Sequence, residues 1–286
     1  MSFGETVALG AIAGLTIFFG LPLGRMRGVD DRMRVCLAMF SVGILAFIFM
    51  DVTKHGEAIL ETAVAHYKAN TASFGHVLGL FALLAVGFTL GTAGISAAER
   101  RLRSRRTAPR IAGGDFATVL GQEELAQPQD VAEERRTRAL QTGMVIAMAI
   151  GLHNFAEGLA IGVSAKAGAV GLATVLIIGF GLHNATEGFG IVGPLGGERP
   201  SWKWLGLAGV IGGAPTFLGT IVGYQVNSSP LELLFYALAG GAVLYVIGEI
   251  WTGMRRYGHH TLGLYLIAAG FLVGVATDLI VSYGGG

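Results

Sequence analysis

One six-residue unit occurs twice in this chain, and its residue types are those of a metal site. His153-Asn154-Phe155-Ala156-Glu157-Gly158 returns as His183-Asn184-Ala185-Thr186-Glu187-Gly188. In an α-helix, residues four apart share a face, so each unit presents an imidazole and a carboxylate together. Two imidazoles and two carboxylates converging on one point are a ligand set for a divalent first-row metal. The competing reading is a pair of Glu–His contacts, the acids protonated, that merely fasten two helices. A Ser or Thr contact would do that at lower cost and would not need the unit twice. Asn154 and Asn184, one residue round from each His, could add carbonyl oxygens to such a site or hydrogen-bond to a neighbouring helix.

The segments that must position these residues are apolar. Of the 286 residues 52% are hydrophobic, 14% are charged and 46 are Gly, whereas a soluble domain has about 25% charged residues and about 7% Gly. Apolar runs of about 20 residues mark bilayer-spanning helices. Eight are expected, over residues 6–23, 35–52, 75–98, 139–165, 167–195, 204–226, 231–250 and 261–283. The expected fold class is all-α, a polytopic membrane protein with eight transmembrane helices. Disorder and a disulfide scaffold are excluded, since the single Cys36 has no partner in the chain. The first run has no basic segment before it and reads as a retained helix. His153 and His183 fall near the middle of helices four and five, which a turn at residues 166–168 makes antiparallel neighbours. Both motifs are thus expected near mid-bilayer, where a carboxylate costs about 3 kcal/mol and marks a functional site by default.

Charge placement gives an orientation. With the loops numbered alternately, one side of the membrane receives all the Lys and Arg except Lys54, Lys68 and Lys166. Basic loops stay in the cytoplasm, so that side is expected to be cytoplasmic and both termini extracytoplasmic. Residues 1–98 then hold helices one to three, 99–138 a cytoplasmic linker with short helical ends, 139–195 helices four and five with the metal site, and 196–286 helices six to eight. The linker opens on Arg100, Arg101, Arg103, Arg105 and Arg106 and contains Pro109, Gly113 and Gly114. Its Arg run lacks interleaved aromatics, so it reads as topogenic and lipid-facing, and no nucleic-acid partner is expected.

Repeats give the architecture. Gly10, Ile12, Gly14, Phe18, Gly20 and Gly24 of helix one align with Gly209, Ile211, Gly213, Phe217, Gly219 and Gly223 of helix six. Gly43, Phe47 and Asp51 align with Gly241, Tyr245 and Glu249, and His76, Gly79 and Phe81 with His260, Gly263 and Tyr265. Five helices separate the copies, so the repeat is inverted, as in secondary transporters whose sites lie near the midplane. The expected plan is 3+2+3, helices 1–3 and 6–8 related by the inverted repeat around helices 4–5. Asp51 with His55, at the outer end of helix two, and Glu249, at the inner end of helix seven, read either as relays for a cation entering and leaving or as solvated interfacial charges.

At the doubled motif the chain resembles the ZIP (Zrt/Irt-like) family of divalent-metal transporters, in particular its prokaryotic members, and the resemblance covers the whole chain. It implies eight helices arranged 3+2+3 with both termini outside. It implies His153, Glu157, His183 and Glu187 as ligands of the transported ion, with Asn154 and Asn184 accessory. Many members have Pro before the motif Glu, where this chain has Ala156 and Thr186. The loop between helices three and four is often His-rich, yet residues 99–138 contain no His. Some relatives carry Glu just ahead of a Pro in helix six, where this chain has Ala214-Pro215.

The expected function is transport of a divalent transition metal, zinc first and iron or manganese next, across the plasma membrane into the cytoplasm by alternating access, helices one, four, five and six moving against the rest. The ion is cargo; no cofactor is expected, and the partners are the metal ion and the lipid bilayer, with a homodimer left open. No ATP-binding loop is present, so ion gradients or intracellular metal binding must drive it. The rivals are a passive cation channel and a membrane-embedded metalloenzyme; the latter would need an HExxH or a third, substrate-activating group. Two Glu charges balance one divalent cation, so one ion per chain is expected, and Ala214 cannot offset a second.

Overall fold

The computed structural model describes residues 1–26, 30–104, 128–166, 170–195, 197–225 and 228–283. Among them it contains helices and turns and no strand. Helix α1 runs Phe3–Leu15, continues as Ile17–Gly20 and ends in a 3-10 turn, Leu21–Arg25, that contains Pro22. A capping box opens it, with Ser2 Oγ accepting from Glu5 N and the Glu5 carboxylate from Ser2 N. Thr16 Oγ1 donates to Ala13 O at 2.7 Å, and the helix breaks there. The others are α2 (Asp31–Lys68), α3 (Phe74–Thr89, then a π-helical stretch Leu90–Gly94 and Ile95–Ser104), α4 (Pro128–Lys166), α5 (Val170–Val192), α6 (Trp202–Gln225), α7 (Ser229–Met254) and α8 (His260–Tyr283). Seven helices among the described residues are long and apolar enough to cross a membrane. Helix α5, 23 residues with Glu187 its only charge, completes the eight.

The largest departure from expectation is α2, which does not stop at Val52. Its 38 residues rise roughly 57 Å at 1.5 Å each, against about 30 Å of hydrocarbon. Apolar composition ends near Val52, but packing does not. Gly56 faces Leu233 and Leu84, and Ala63 clusters with Leu80 and Leu233, so the continuation has a face of its own to bury. Helices α3 and α4 extend to Ser104 and from Pro128, at the two ends of the segment expected to be a linker with short helical ends. The rest of it, residues 105–127 with Pro109, Gly113 and Gly114, lies outside the described residues, as do residues 167 and 168 of the expected turn between α4 and α5.

The inverted repeat is visible in backbone contacts. A side chain on Gly14 would strike the carbonyl of Gly213, and one on Gly213 that of Gly14. These residues are each other's repeat mates, so the pseudo-twofold axis passes between them. Gly43 lies against Ile267 O and Gly270 of α8, while its mate Gly241 lies against Phe88 O and Gly91 of α3. This sets the third repeat in a different register: Gly91 matches Gly270, five residues away from the His76–His260 alignment, because α3 begins further out than α8. Helices α4 and α5 obey the same axis instead of standing outside it. Gly158 abuts Thr216 O of α6, and its counterpart Gly188 abuts Ile17 O of α1. Ile17 and Thr216 are themselves mates.

Two bundles result. Helix α4 lies along α6, and α5 along α1; α2 lies along α8, and α3 along α7. Small residues let the backbones touch within each bundle, which is how helices associate when lipid removes the hydrophobic drive.

Candidate metal site

The doubled motif lies at the centre of the first bundle. His153 is 1% exposed, Glu157 4% and Glu187 1%, and Asn154 and Asn184 are fully buried. The His153 imidazole donates from Nε2 to Glu157 Oε1 at 2.9 Å, one turn along α4. The same nitrogen lies 3.9 Å from Glu187 Oε1 on α5. Three of the four expected ligands therefore converge from two helices. The fourth, His183, is on α5, but its side chain lies outside the described residues. Among the described residues no group of three or more His, Cys, Asp or Glu has the spread of a finished metal shell. His153 and Glu157 are drawn onto each other at hydrogen-bond distance, and a cation would have to part them.

The two asparagines make the helix-to-helix hydrogen bonds that the sequence allowed. Asn154 Nδ2 donates to Gly212 O of α6 at 2.9 Å, and Asn184 Nδ2 donates to Ala13 O of α1 at 3.1 Å. Ala13 and Gly212 are repeat mates, so the twofold axis relates these bonds too. Each amide nitrogen fastens its helix to a neighbour. Among the described residues, the oxygens Asn154 Oδ1 and Asn184 Oδ1 are buried without a hydrogen-bond partner. Buried polar atoms are almost always satisfied, and a neutral oxygen held this way is a donor suited to a cation.

Other expected residues lie apart from this centre. Asp51 and His55 pair with each other on α2: His55 Nδ1 donates to Asp51 O at 2.9 Å and is 3.8 Å from Asp51 Oδ2. The His55 ring lies 5.5 Å from that of Tyr236 on α7. Glu249 is part-buried near the other end of α7. Ala214 is on the exposed face of α6, so the helix does not point it at the site, and a Glu there would not supply the extra charge the sequence suggested. Sequence reading missed Ser41, buried on α2, whose hydroxyl donates to Thr186 O beside Glu187 at 3.2 Å. A single Ser in an apolar run gives no signal. The Asn bonds, by contrast, follow from laying the two repeat alignments over each other.

Comparison with known protein families gives a match. The family model described as ZIP zinc transporter matches residues 2–248, which leaves out the end of α7 from Glu249 and all of α8. No curated protein matches the chain.

Proposed function

Since the chain belongs to the ZIP zinc transporter family and so moves divalent metal ions across a membrane, we propose that it imports zinc, and with lower preference iron or manganese, through the plasma membrane into the cytoplasm. The observation that carries this is the buried convergence of His153 and Glu157 on α4 with Glu187 on α5. His183 completes the set, and Asn154 and Asn184 offer their oxygens. One divalent ion cancels the two carboxylate charges, whereas a second would leave net positive charge in a desolvated centre. The mixed nitrogen and oxygen donors favour Zn²⁺, Fe²⁺ or Mn²⁺ over Cu⁺. The family supports a transporter rather than an enzyme.

Alternating access is the mechanism the architecture suits. The site belongs wholly to the bundle of α1, α4, α5 and α6, whose members touch backbone to backbone. We assign this bundle as the carrier and α2, α3, α7 and α8 as the scaffold, the carrier rocking about the pseudo-twofold axis. The end of the molecule with Arg25, Arg34, Arg199, Lys203 and Arg255 is cytoplasmic in this assignment. Asp51 and His55 then face the incoming ion, and Glu249 the outgoing one.

The test is uptake into proteoliposomes loaded with a metal-sensitive dye, with Zn²⁺, Fe²⁺ and Mn²⁺ in turn. Saturable uptake that Glu157→Gln/Glu187→Gln abolishes is expected. Uptake by the double variant equal to the parent would remove the site, and flux that never saturates would make the protein a channel.

A further inference from the structure

The two ends of the molecule share one repeat but are packed differently. At the end carrying Lys166, α4 and α6 keep backbone contact to their last turns. Gly219 lies against Phe155 O, Gly223 against Leu159 O, and Gly162 against Thr220 O. At the end carrying Arg34, the mates begin the same way, with Gly20 against Ala185 O. Then they part. Gly24, the mate of Gly223, has the Val192 side chain as its nearest neighbour, at the point where α1 has become the 3-10 turn around Pro22. A cavity of about 100 Å³ opens there, lined among others by Leu23, Gly24, Arg34, Leu37, Phe189 and Val192.

The boundary between carrier and scaffold breaks the symmetry in the same sense. At the Lys166 end, Phe155 of α4 stacks on Phe235 of α7, the ring centroids 4.6 Å apart with the planes at 49°. Offset and tilted pairs at this separation attract beyond the area they bury. The mates of these residues at the other end are Ala185 and Leu37, which bring no ring to the junction, and Leu37 borders the cavity. An aromatic pair therefore spans the two bundles at one end, while the corresponding pair of positions at the other end, beside the cavity, is small and aliphatic.

We propose that Phe155 and Phe235 are the gate of the Lys166 mouth, the extracytoplasmic one. The structure then has this mouth closed over a buried site. The site changes sides when this pair parts and the Ala185–Leu37 end closes around the axis through Gly14 and Gly213. The proposal rests on the transporter reading only for what passes the gate. The packing difference itself stands without it. Because the mates are not aromatic, closure of the other end lacks this attraction, and the protein without metal favours the state in which the Lys166 mouth is shut.

A thiol reporter tests this. Ala239 is buried on α7 one turn inward from Phe235, on the same face. In a Cys36→Ser background, A239C is labelled with an impermeant thiol reagent applied in turn to each side of the membrane. Phe155→Ala is expected to speed labelling from the Lys166 side roughly threefold to tenfold, the population shift that losing an aromatic pair permits, without speeding it from the Arg34 side. Phe155→Tyr keeps the ring and should restore the parent rate. An unchanged rate from the Lys166 side would overturn the gate. So would an equal rise from both sides, the mark of a generally loosened fold. Zinc uptake measured on the same preparations keeps the two claims apart, because loss of transport in the parent with labelling as expected would count against the transporter and not the gate.

Discussion

The carrier and scaffold bundles are built from the same glycine-rich helices, yet they bury different things. Of the buried polar side chains among the described residues, Thr6, His153, Asn154, Glu157, Asn184, Glu187, Thr216 and Thr220 belong to α1, α4, α5 and α6, and Ser41 alone to the scaffold. Both bundles carry large exposed apolar residues that suit a face turned to lipid, among them Ile12 and Phe19 on α1, Leu207 and Leu218 on α6, Leu78 and Phe81 on α3, and Leu264 and Ile280 on α8. Both bundles use close backbone contact to hold together, so packing alone does not tell them apart. The difference is that one has desolvated groups which a cation can satisfy. The inverted repeat duplicates the frame, and the buried ionisable groups fall on one half of the helices.

The sharpest break between the bundles is expected in transport. Glu157→Gln or Glu187→Gln should lower zinc uptake by about a hundredfold or more, since even outer-shell partners of a metal ligand commonly cost 10–100-fold. Asp51→Asn on the scaffold should change it by only about a fewfold, because the Asp51 side chain is 34% exposed and water can replace what it loses. Equal losses from both substitutions, measured as initial rates in proteoliposomes, would erase the distinction.

A second contrast uses glycines. Gly14→Val must push apart two backbones that have no flexible side chain to yield. It should cost about 3 kcal/mol, at the upper end of the usual overpacking range, read as a lowered thermal midpoint in detergent. Gly79→Ala on α3 meets nothing within 4 Å and should be neutral or stabilise by about 0.5 kcal/mol, from helix propensity. Comparable destabilisation by the two would show that the axis through Gly14 and Gly213 is not a constrained contact.

Smaller effects test the symmetry inside the carrier. Asn154→Ala and Asn184→Ala each remove one hydrogen bond to a mate carbonyl, Gly212 O or Ala13 O. Each should cost about 1–3 kcal/mol, the desolvation of the carbonyl left behind, and the two costs should agree within about 0.5 kcal/mol, the ordinary scatter of such values. Ser41→Ala should cost about 1 kcal/mol or less, because a Ser hydroxyl that also bonds its own helix, to Leu37 O at 3.1 Å, gives little net. Unequal Asn costs in a chemical-denaturation series would show that the twofold relation is geometric only.

Much of this was legible in the sequence, and the failures have physical causes. The doubled His-Asn-x-x-Glu-Gly unit marks the centre because ionisable groups are so costly in lipid that their spacing stands out. Alignment of the first helix with the sixth, and of the second with the seventh, survives because close backbone contact admits only Gly at positions such as Gly14 and Gly213. The third alignment goes astray because α3 and α8 touch their neighbours through few glycines and otherwise face outward, where any apolar residue serves. The length of α2 is missed because hydropathy reads the bilayer and not the helix; beyond Val52 its packing partners, Leu80, Leu84 and Leu233, are on other helices. Phe155 and Phe235 carry no pattern a sequence reader could notice until the repeat shows that their mates are not aromatic.

The most direct test of the central claim is to locate zinc in the protein by anomalous scattering from crystals grown with Zn²⁺, with elemental analysis of the same sample. The account predicts one strongly bound ion per chain between α4 and α5, within coordination distance of His153, Glu157, His183 and Glu187, and its loss in Glu157→Gln/Glu187→Gln. A strong site elsewhere with this centre empty, or a central ion that survives the double substitution, would contradict it.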